Sequence, residues 1–148
     1  MTRRSRARDV ALQLLFQFDF NAKVERLSQE RFVRERLNDA SLEPFCLGLF
    51  DGVQSHRADI DKDLTEAAEN WRLQRMAGVD RNVLRLGAYE LLFEPGIPAA
   101  SAINEAIELA RRYGSKDSAG FVNGVLDRIA RSRTPVAGDP TVPPPEPA

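Results

Sequence analysis

Residues 101–131 read SAINEAIELARRYGSKDSAGFVNGVLDRIAR. The stretch divides into two helical patterns joined by a short turn. In the first, Ile103, Ile107 and Ala110 fall on one face, with Ala106 beside them. Pro98, just upstream, suits a first helical turn, where its missing N–H costs nothing. Gly114 has the character of a C′ residue, and Ser115 that of an N-cap for the helix that follows. In the second pattern Phe121, Val125 and Ile129 lie four apart, with Val122 and Leu126 alongside. Gly124 interrupts that apolar face. A glycine inside a helix costs about 1 kcal/mol against alanine, which predicts a close approach of another backbone there.

The rest of the chain extends the helical reading. Asp9 to Phe20 has a narrow polar stripe, Asp9–Gln13–Gln17, flanked by the rows Val10–Leu14–Phe18 and Leu12–Phe16–Phe20. So wide an apolar arc means burial on more than one side. Either this helix is central, the reading we favour, or one aromatic row, Phe16 with Phe20, faces a partner. Residues 26–38 form a charged helix turning Leu27, Phe32, Val33 and Leu37 inward, and residues 38–43 a polar break. The next helix begins at Ser41 or Glu43, before Pro44, and holds Phe45, Cys46, Leu49, Phe50 and Val53. Gly48 and Gly52, four apart within it, would admit a close neighbour. Residues 57–70 turn Ile60, Leu64 and Ala67 or Ala68 inward. His56, at the junction, reads as a surface or capping histidine rather than a catalyst.

Residues 71–78 are a connector, with Trp71 expected to plug a seam between two halves. Asp80 is a natural N-cap for a helix over 81–93. Its core face is Val83, Leu84, Gly87, Ala88, Leu91 and Leu92, and Arg81, Arg85 and Tyr89 form a separate row. Pro95, Gly96 and Pro98 end it. No alternating strand pattern stands out, so the class is all-α with about seven helices. The expected domain is 1–133. Residues 134–148 hold six of the nine prolines and no basic residue, a composition expected to leave a disordered tail.

Composition excludes several functions. The 148 residues are 43% hydrophobic, enough for one core. Charge is nearly balanced, 21 basic against 22 acidic, so nucleic-acid binding has to come from a local patch. One cysteine and one histidine are too few for a Cys/His metal site, and a lone Cys46 fits a reducing compartment. No apolar run approaches the roughly 18 residues of a membrane span. Arginines before apolar residues can imitate a signal peptide, but Gln13, Gln17 and Asp19 break the run and no small-residue cleavage site follows. The expected location is the cytoplasm. No cofactor is expected: GSKDSAG, residues 114–120, lacks the Walker spacing and a preceding strand. Glu105 and Glu108 are better read as ion pairs, with Arg111 and Arg112 three and four residues past Glu108, than as catalytic acids. Arg85 is expected near that group. The chain does not read as an enzyme.

The patch is Arg3, Arg4, Arg6 and Arg8, four arginines in six residues. Guanidinium groups pair with phosphates bidentately and stack on unpaired bases. The run leads into a helix without a linker, which would hold the charges on a fixed surface. A solubilising arm is the alternative.

Several segments resemble the NusB family of bacterial transcription antitermination factors. They are INEAIELA (103–110), DSAGFVNGVLDRIA (117–130), VDRNVLRLGAYEL (79–91) and RRSRARDVALQLLFQFD (3–19). Together they span roughly residues 3–131, and the INEAIELA and FVNG segments are the specific part. The resemblance implies two antiparallel three-helix bundles packed together. It also implies binding of boxA, a short single-stranded RNA element of ribosomal RNA operon leaders, as a heterodimer with the ribosomal small-subunit protein that doubles as Nus factor E. Other Nus factors and RNA polymerase would be met indirectly. Carried over residue by residue, the RNA side is Arg3, Arg4, Arg6 and Arg8, with Lys116, Asp117 and Phe121 at the last turn. Gly120 departs from relatives with a basic residue there. Asp80 and Arg81 are implied on the protein-partner side, which Phe16 of the exposed-row reading would join. Asp80 as a mere N-cap is equally open. The alternatives are a stand-alone relative of the NusB-like domains that serve ribosomal RNA cytosine methyltransferases, and a protein-interaction scaffold without RNA affinity.

Overall fold

Helix α1 (Arg3–Phe20) starts where the Thr2 hydroxyl accepts the Ser5 N–H at 3.0 Å, satisfying one of the donors a helix leaves open. The computed structural model describes residues 2–69 and 71–132. Among them six more α-helices follow: α2 (Arg26–Leu37), α3 (Glu43–Ser55), α4 (Arg57–Ala67), α5 (Gly78–Phe93), α6 (Ala99–Tyr113) and α7 (Ser118–Ser132). One-turn 3-10 segments stand at Ala40–Leu42 and Leu73–Arg75. The expected Pro-rich tail lies outside the described residues.

Helices α1, α2 and α3 pack on one another, as do α5, α6 and α7, while α4 lies against α5 and α7. Helix α5 also touches α1 and α3, so it joins the two bundles. The all-α class and the paired three-helix bundles are the architecture observed. Helix α1 is buried on more than one side, through Ala7, Val10, Ala11, Leu12, Leu14 and Leu15.

The second central helix is α5, in which every residue from Asn82 to Leu91 is buried. The sequence reading gave it one core face and a separate Arg81–Arg85–Tyr89 row. Polar side chains can be interior there because each has a partner. Asn82 Nδ2 donates to Asp19 at 2.8 Å and Arg85 Nε to Asp61 at 2.9 Å. The Tyr89 hydroxyl donates to Glu94 at 2.6 Å, and Glu90 accepts from Arg8 Nε at 2.8 Å. Arg85 is therefore not beside Glu105 and Glu108, as expected. Glu108 pairs with Arg111 at 2.7 Å, the ion pair that the sequence spacing predicts.

Several inward faces differ from their sequence reading. Leu27 is 72% exposed, and α2 buries Gln29, Val33 and Leu37. Gln29 is tolerated inside because its amide accepts from Arg26 at 3.2 Å and donates to the Val24 carbonyl. In α6 the small face Ala102–Ala106–Ala110, with Leu109, is buried, and Ile103 and Ile107 are only half-buried. Trp71 does not plug the seam; it is 57% exposed, and Leu73 and Met76 are buried instead. His56 stands at the cap position between α3 and α4, as expected, and its backbone N–H closes α3 on the Gly52 carbonyl. It makes no side-chain cap bond, and its ring stacks on Phe93 with centroids 3.9 Å apart. Cys46 is a core side chain whose thiol burial pushes up to about 12.

Helix ends shift as well. Helix α5 starts at Gly78 with Ala77 in the cap position, so Asp80 is a first-turn acid and not the N-cap. Pro98 is the α6 cap residue, just outside the helix. The Asp117 carbonyl accepts the Phe121 N–H at 3.2 Å, so Asp117 opens α7 and Ser115 does not. The Ser115 N–H goes to the Ser118 hydroxyl at 2.9 Å, which closes the turn. Gly114 has φ −92, so its reason is space and not left-handed backbone: a Cβ there would lie 2.8 Å from the Ala110 carbonyl. No backbone crowds Gly124. The close approach is at Gly87, where a Cβ would lie 2.7 Å from Leu126 Cδ1 and 3.2 Å from Ala106 Cβ.

The α3 glycines divide in the same way. A Cβ on Gly52 would run into the Tyr89 ring, whereas Gly48 has nothing within 4 Å. Tyr89 cannot simply move aside, because its hydroxyl is bonded to Glu94 and its ring stacks on Phe93. Gly52→Ala should therefore lower stability by about 2 kcal/mol through overpacking, and Gly48→Ala should raise it by about 0.5–1 kcal/mol through helix propensity. Urea unfolding of both variants checks this; equal effects would contradict it.

Candidate nucleic-acid interface

Arg3, Arg4 and Arg6 stand in the first turns of α1, where no acidic residue balances them. Cations at a helix N-terminus oppose the helix dipole, by about 0.3–1 kcal/mol each, so helix formation alone does not call for them there. Their side chains fan out over the end of the first bundle. Arg3 Nη2 pairs with Asp39 at 3.0 Å and also reaches the Ser41 hydroxyl. The Arg4 guanidinium lies over the Phe45 ring, 4.9 Å from its centroid. Arg6 Nη2 donates to the Arg36 carbonyl, in the last turn of α2, at 2.6 Å. All three residues are exposed. Asp39 is held below the usual carboxylate range by the Ser41 hydroxyl and then by Arg3.

Arg8 does not join them. It is 6% exposed, its Nε donates to Glu90 at 2.8 Å, and its Nη1 lies 3.7 Å from Glu105. Its guanidinium is committed to the seam between α1, α5 and α6, which corrects the sequence expectation of a fourth phosphate contact. Burial pushes the Glu90 carboxyl up, while Arg8 pulls it back. In its place the structure adds Arg36, which sequence reasoning missed. Its guanidinium lies 4.2 Å from the Phe32 ring centroid, and the residue is exposed beside Arg6. The only sequence signal for it was a basic last turn in α2, which the helix dipole alone would explain.

Asp9 ties the 114–117 turn to this end of the molecule. Its carboxylate, on a residue 8% exposed, takes Arg112 at 3.0 Å and the Tyr113 hydroxyl. Burial, and then Asp9, raises the Tyr113 phenol above its ordinary range. Asp9 is three residues beyond Arg6, about 4.5 Å along the helix. Lys116 and Asp117 follow on that anchored turn and are both exposed. Phe121, one turn into α7, is half-buried with its ring edge-on to Trp71.

The expected partner residues lie further along α1 and at the start of α5, beside a groove that reaches back to Arg36 and Tyr113. Phe16 is half-buried, 5.1 Å from the Phe20 ring, and lines a groove of about 370 Å³ with Leu12, Phe32, Val79 and Tyr113. It also packs at the start of α5, where a Cβ on Gly78 would lie 3.1 Å from its ring. Asp80 sits in that first turn with Oδ1 buried and without a hydrogen-bond partner among the described residues. Arg81 turns away from the groove, toward Asp19 at 3.5 Å and the carbonyls of Leu73 and Met76.

Asp19 is the centre of a cation cluster that no sequence spacing revealed. Besides Arg81 it holds Asn82 at 2.8 Å, Arg57 at 3.1 Å and Arg85 at 3.7 Å. Burial pushes its carboxyl up, but the hydrogen bonds from Asn82 and Arg57 and the charge of Arg85 outweigh that and leave it low. A carboxyl lower in the folded than in the unfolded chain adds stability that is complete above about pH 4. That stability is lost as the pH falls through the folded value. Asp19→Asn should therefore lower the melting temperature at pH 7 and flatten its fall below about pH 4. Melts from pH 7 to pH 2.5 test this; an unchanged acid limb would contradict it.

Among the described residues, no group of three or more His, Cys, Asp or Glu side chains could hold a metal ion. No helix there is long and apolar enough to cross a membrane.

The model of the NusB family matches residues 5–131. The transcription antitermination protein NusB of Sorangium cellulosum (strain So ce56) is 46% identical over 132 residues, covering 89% of this chain and 94% of the relative. A solved structure of T. maritima NusB superposes with a TM-score of 0.79 at 39% identity, covering 91% of this chain and 94% of that one. A crystal structure of antitermination factors NusB and NusE in complex with dsRNA also matches, with a TM-score of 0.79 at 27% identity. It covers 90% of this chain and 99% of that one. With nearly the whole helical body matched from α1 to α7, and about nine-tenths of both chains covered in the comparison with the Sorangium protein, this chain belongs to the NusB family.

Proposed function

We propose that this protein is a transcription antitermination factor that binds boxA-type single-stranded RNA of ribosomal RNA operon leaders together with the ribosomal small-subunit protein Nus factor E. Other Nus factors and RNA polymerase are engaged indirectly. It acts by binding, without catalysis and without a cofactor, in the cytoplasm, through the helical domain 1–133. The observation that carries the reading is the exposed arginine end of α1, set against the helix dipole and backed by the anchored 114–117 turn. Arg3, Arg4 and Arg6 hold phosphates, and Lys116 and Phe121 extend the RNA edge. Phe16, Asp80 and Arg81 belong to the protein-partner side. The NusB and NusE chains of the matching complex support a paired assembly.

The test is a titration of boxA-type RNA, as a single strand and as a duplex, with and without the ribosomal partner. Single-strand binding that tightens when the partner is added is expected. Equal binding of a scrambled strand, or no response to the partner, would contradict the reading.

Asp117 gives a second test. Its exposed carboxylate beside bound RNA repels phosphate, and two such charges about 8 Å apart in water interact by roughly 0.5 kcal/mol. Asp117→Asn should raise RNA affinity about twofold, and the gain should shrink at high salt. Loss of an acid at a helix start should also lower stability by about 0.3–1 kcal/mol. Weaker binding by a folded Asp117→Asn variant would mean that the acid makes a favourable contact.

A further inference from the structure

Trp71 is the only tryptophan in the chain, and it is 57% exposed. It is not loosely attached. Its backbone N–H donates to the Ala68 carbonyl at 3.2 Å, and its ring meets Phe121 edge to face, with centroids 5.9 Å apart and planes at 65°. In such a pair at most one face of the indole is covered by the phenyl ring. A large aromatic face is thus held still and left in water, in a fold that buries Leu73 and Met76 from the same connector.

The charge around it is selective. Arg72 and Arg75 are exposed, and the Arg75 N–H closes on the Arg72 carbonyl at 3.0 Å, so a tight turn carries both guanidinium groups. Among the described residues neither arginine makes an ion pair, and neither does exposed Lys116 in the turn before α7. Glu69 and Asp117 are the exposed acids nearest in sequence and leave a cationic excess of one. An open aromatic face on a connector that also carries exposed cations, touching α7 just after the Lys116 turn, suits one ligand chemistry, an unpaired nucleobase on a phosphate backbone. Stacking takes the π-face of any base, and guanidinium and ammonium groups hold the phosphates.

We propose that Trp71 is a base-stacking residue, and that the Trp71–Phe121 pair carries an unpaired RNA base beyond the Lys116–Asp117 turn. This rests on the RNA-binding reading above and adds a contact to it. The RNA path then runs from the arginine end of α1, over the turn before α7, to the connector between α4 and α5. A duplex offers no free base face, so the contact selects single strands.

A lone tryptophan makes the test direct. Emission of the wild-type protein is followed while a single-stranded boxA-type RNA is added, with the same RNA as a duplex in parallel. Affinity is measured separately by anisotropy of labelled RNA, for wild type, Trp71→Phe and Trp71→Ala. The single strand should quench Trp71 in step with binding, and the duplex should not. Trp71→Ala should weaken single-strand binding by roughly five- to 150-fold, the range for loss of one base–aromatic stack, while Trp71→Phe keeps most of it. Because the side chain is exposed, both variants should melt close to wild type. If the RNA binds by anisotropy while emission stays flat and Trp71→Ala binds as well as wild type, the stacking role is wrong and the RNA-binding reading stands. If no RNA binds at all, both fall.

Discussion

Arg8→Ala should lower the melting temperature by about 10 °C or more. Arg8 is 6% exposed and Glu90 is 2% exposed, and they are bonded at 2.8 Å. Removing one member of a buried pair leaves an uncompensated charge, which destabilises by about 3–5 kcal/mol. For a domain of this size each kcal/mol shifts the melting temperature by about 3–4 °C. Glu90 has no slack, since its Oε2 has no hydrogen-bond partner among the described residues. Without Arg8, burial and the neighbouring Glu105 and Glu94 all push its carboxyl up. A carboxyl raised above its unfolded value penalises the fold at high pH, and the penalty is relieved as the pH falls toward the unfolded value near 4.3. The deficit of Arg8→Ala should therefore narrow between pH 7 and pH 5. The double variant Arg8→Ala/Glu90→Gln should recover much of the loss and bind RNA as tightly as wild type. Thermal melts at both pH values, with RNA binding by the double variant, check this. A single variant that melts like wild type but binds RNA weakly would return Arg8 to the RNA surface.

Periodicity made most of the fold legible. The α6–α7 pair, the polar break before α3 and the double-sided burial of α1 all follow from where apolar residues recur. Errors arose where one residue type has two uses. Arg8 looks like its neighbours in a run of arginines, yet it stands one turn before buried Leu12, on the same face of α1. Only its pairing with Glu90, 82 residues away, makes the position tolerable. Leu27 and Gln29 were exchanged because apolar character was weighed without the contacts that satisfy Gln29. Trp71 has the size to plug a seam, yet in this connector the smaller Leu73 and Met76 are the buried side chains. Helix α5 looked amphipathic because Asn82, Arg85 and Glu90 are polar. Their partners Asp19, Asp61 and Arg8 come from α1 and α4, and no local pattern announces such pairings. On the candidate surface the arginine start could be read from its run and the Lys116 turn was implied by the family resemblance alone, whereas Arg36 and the Asp9 link needed the fold.

Replacing Arg3, Arg4 and Arg6 together with alanine should abolish most RNA binding and leave the protein folded. Alanine is the best helix former, and removing cations from a helix N-terminus relieves the dipole. The Arg3–Asp39 pair is exposed, so its loss changes stability by less than about 1 kcal/mol. Binding is another matter. Single-stranded nucleic acid loses about 0.7 units of log–log salt slope for each phosphate contact removed, so three lost contacts flatten the slope by about 2 units. Extrapolated from 1 M to 0.1 M salt, that is a roughly hundredfold loss of affinity. The measurement is the affinity of one boxA-type single strand for the wild-type and triple-variant proteins across a series of salt concentrations. Two lines that converge at high salt, with the wild type steeper by about 2 units, are predicted; parallel lines of equal affinity would contradict the assignment of the RNA grip to the first turns of α1.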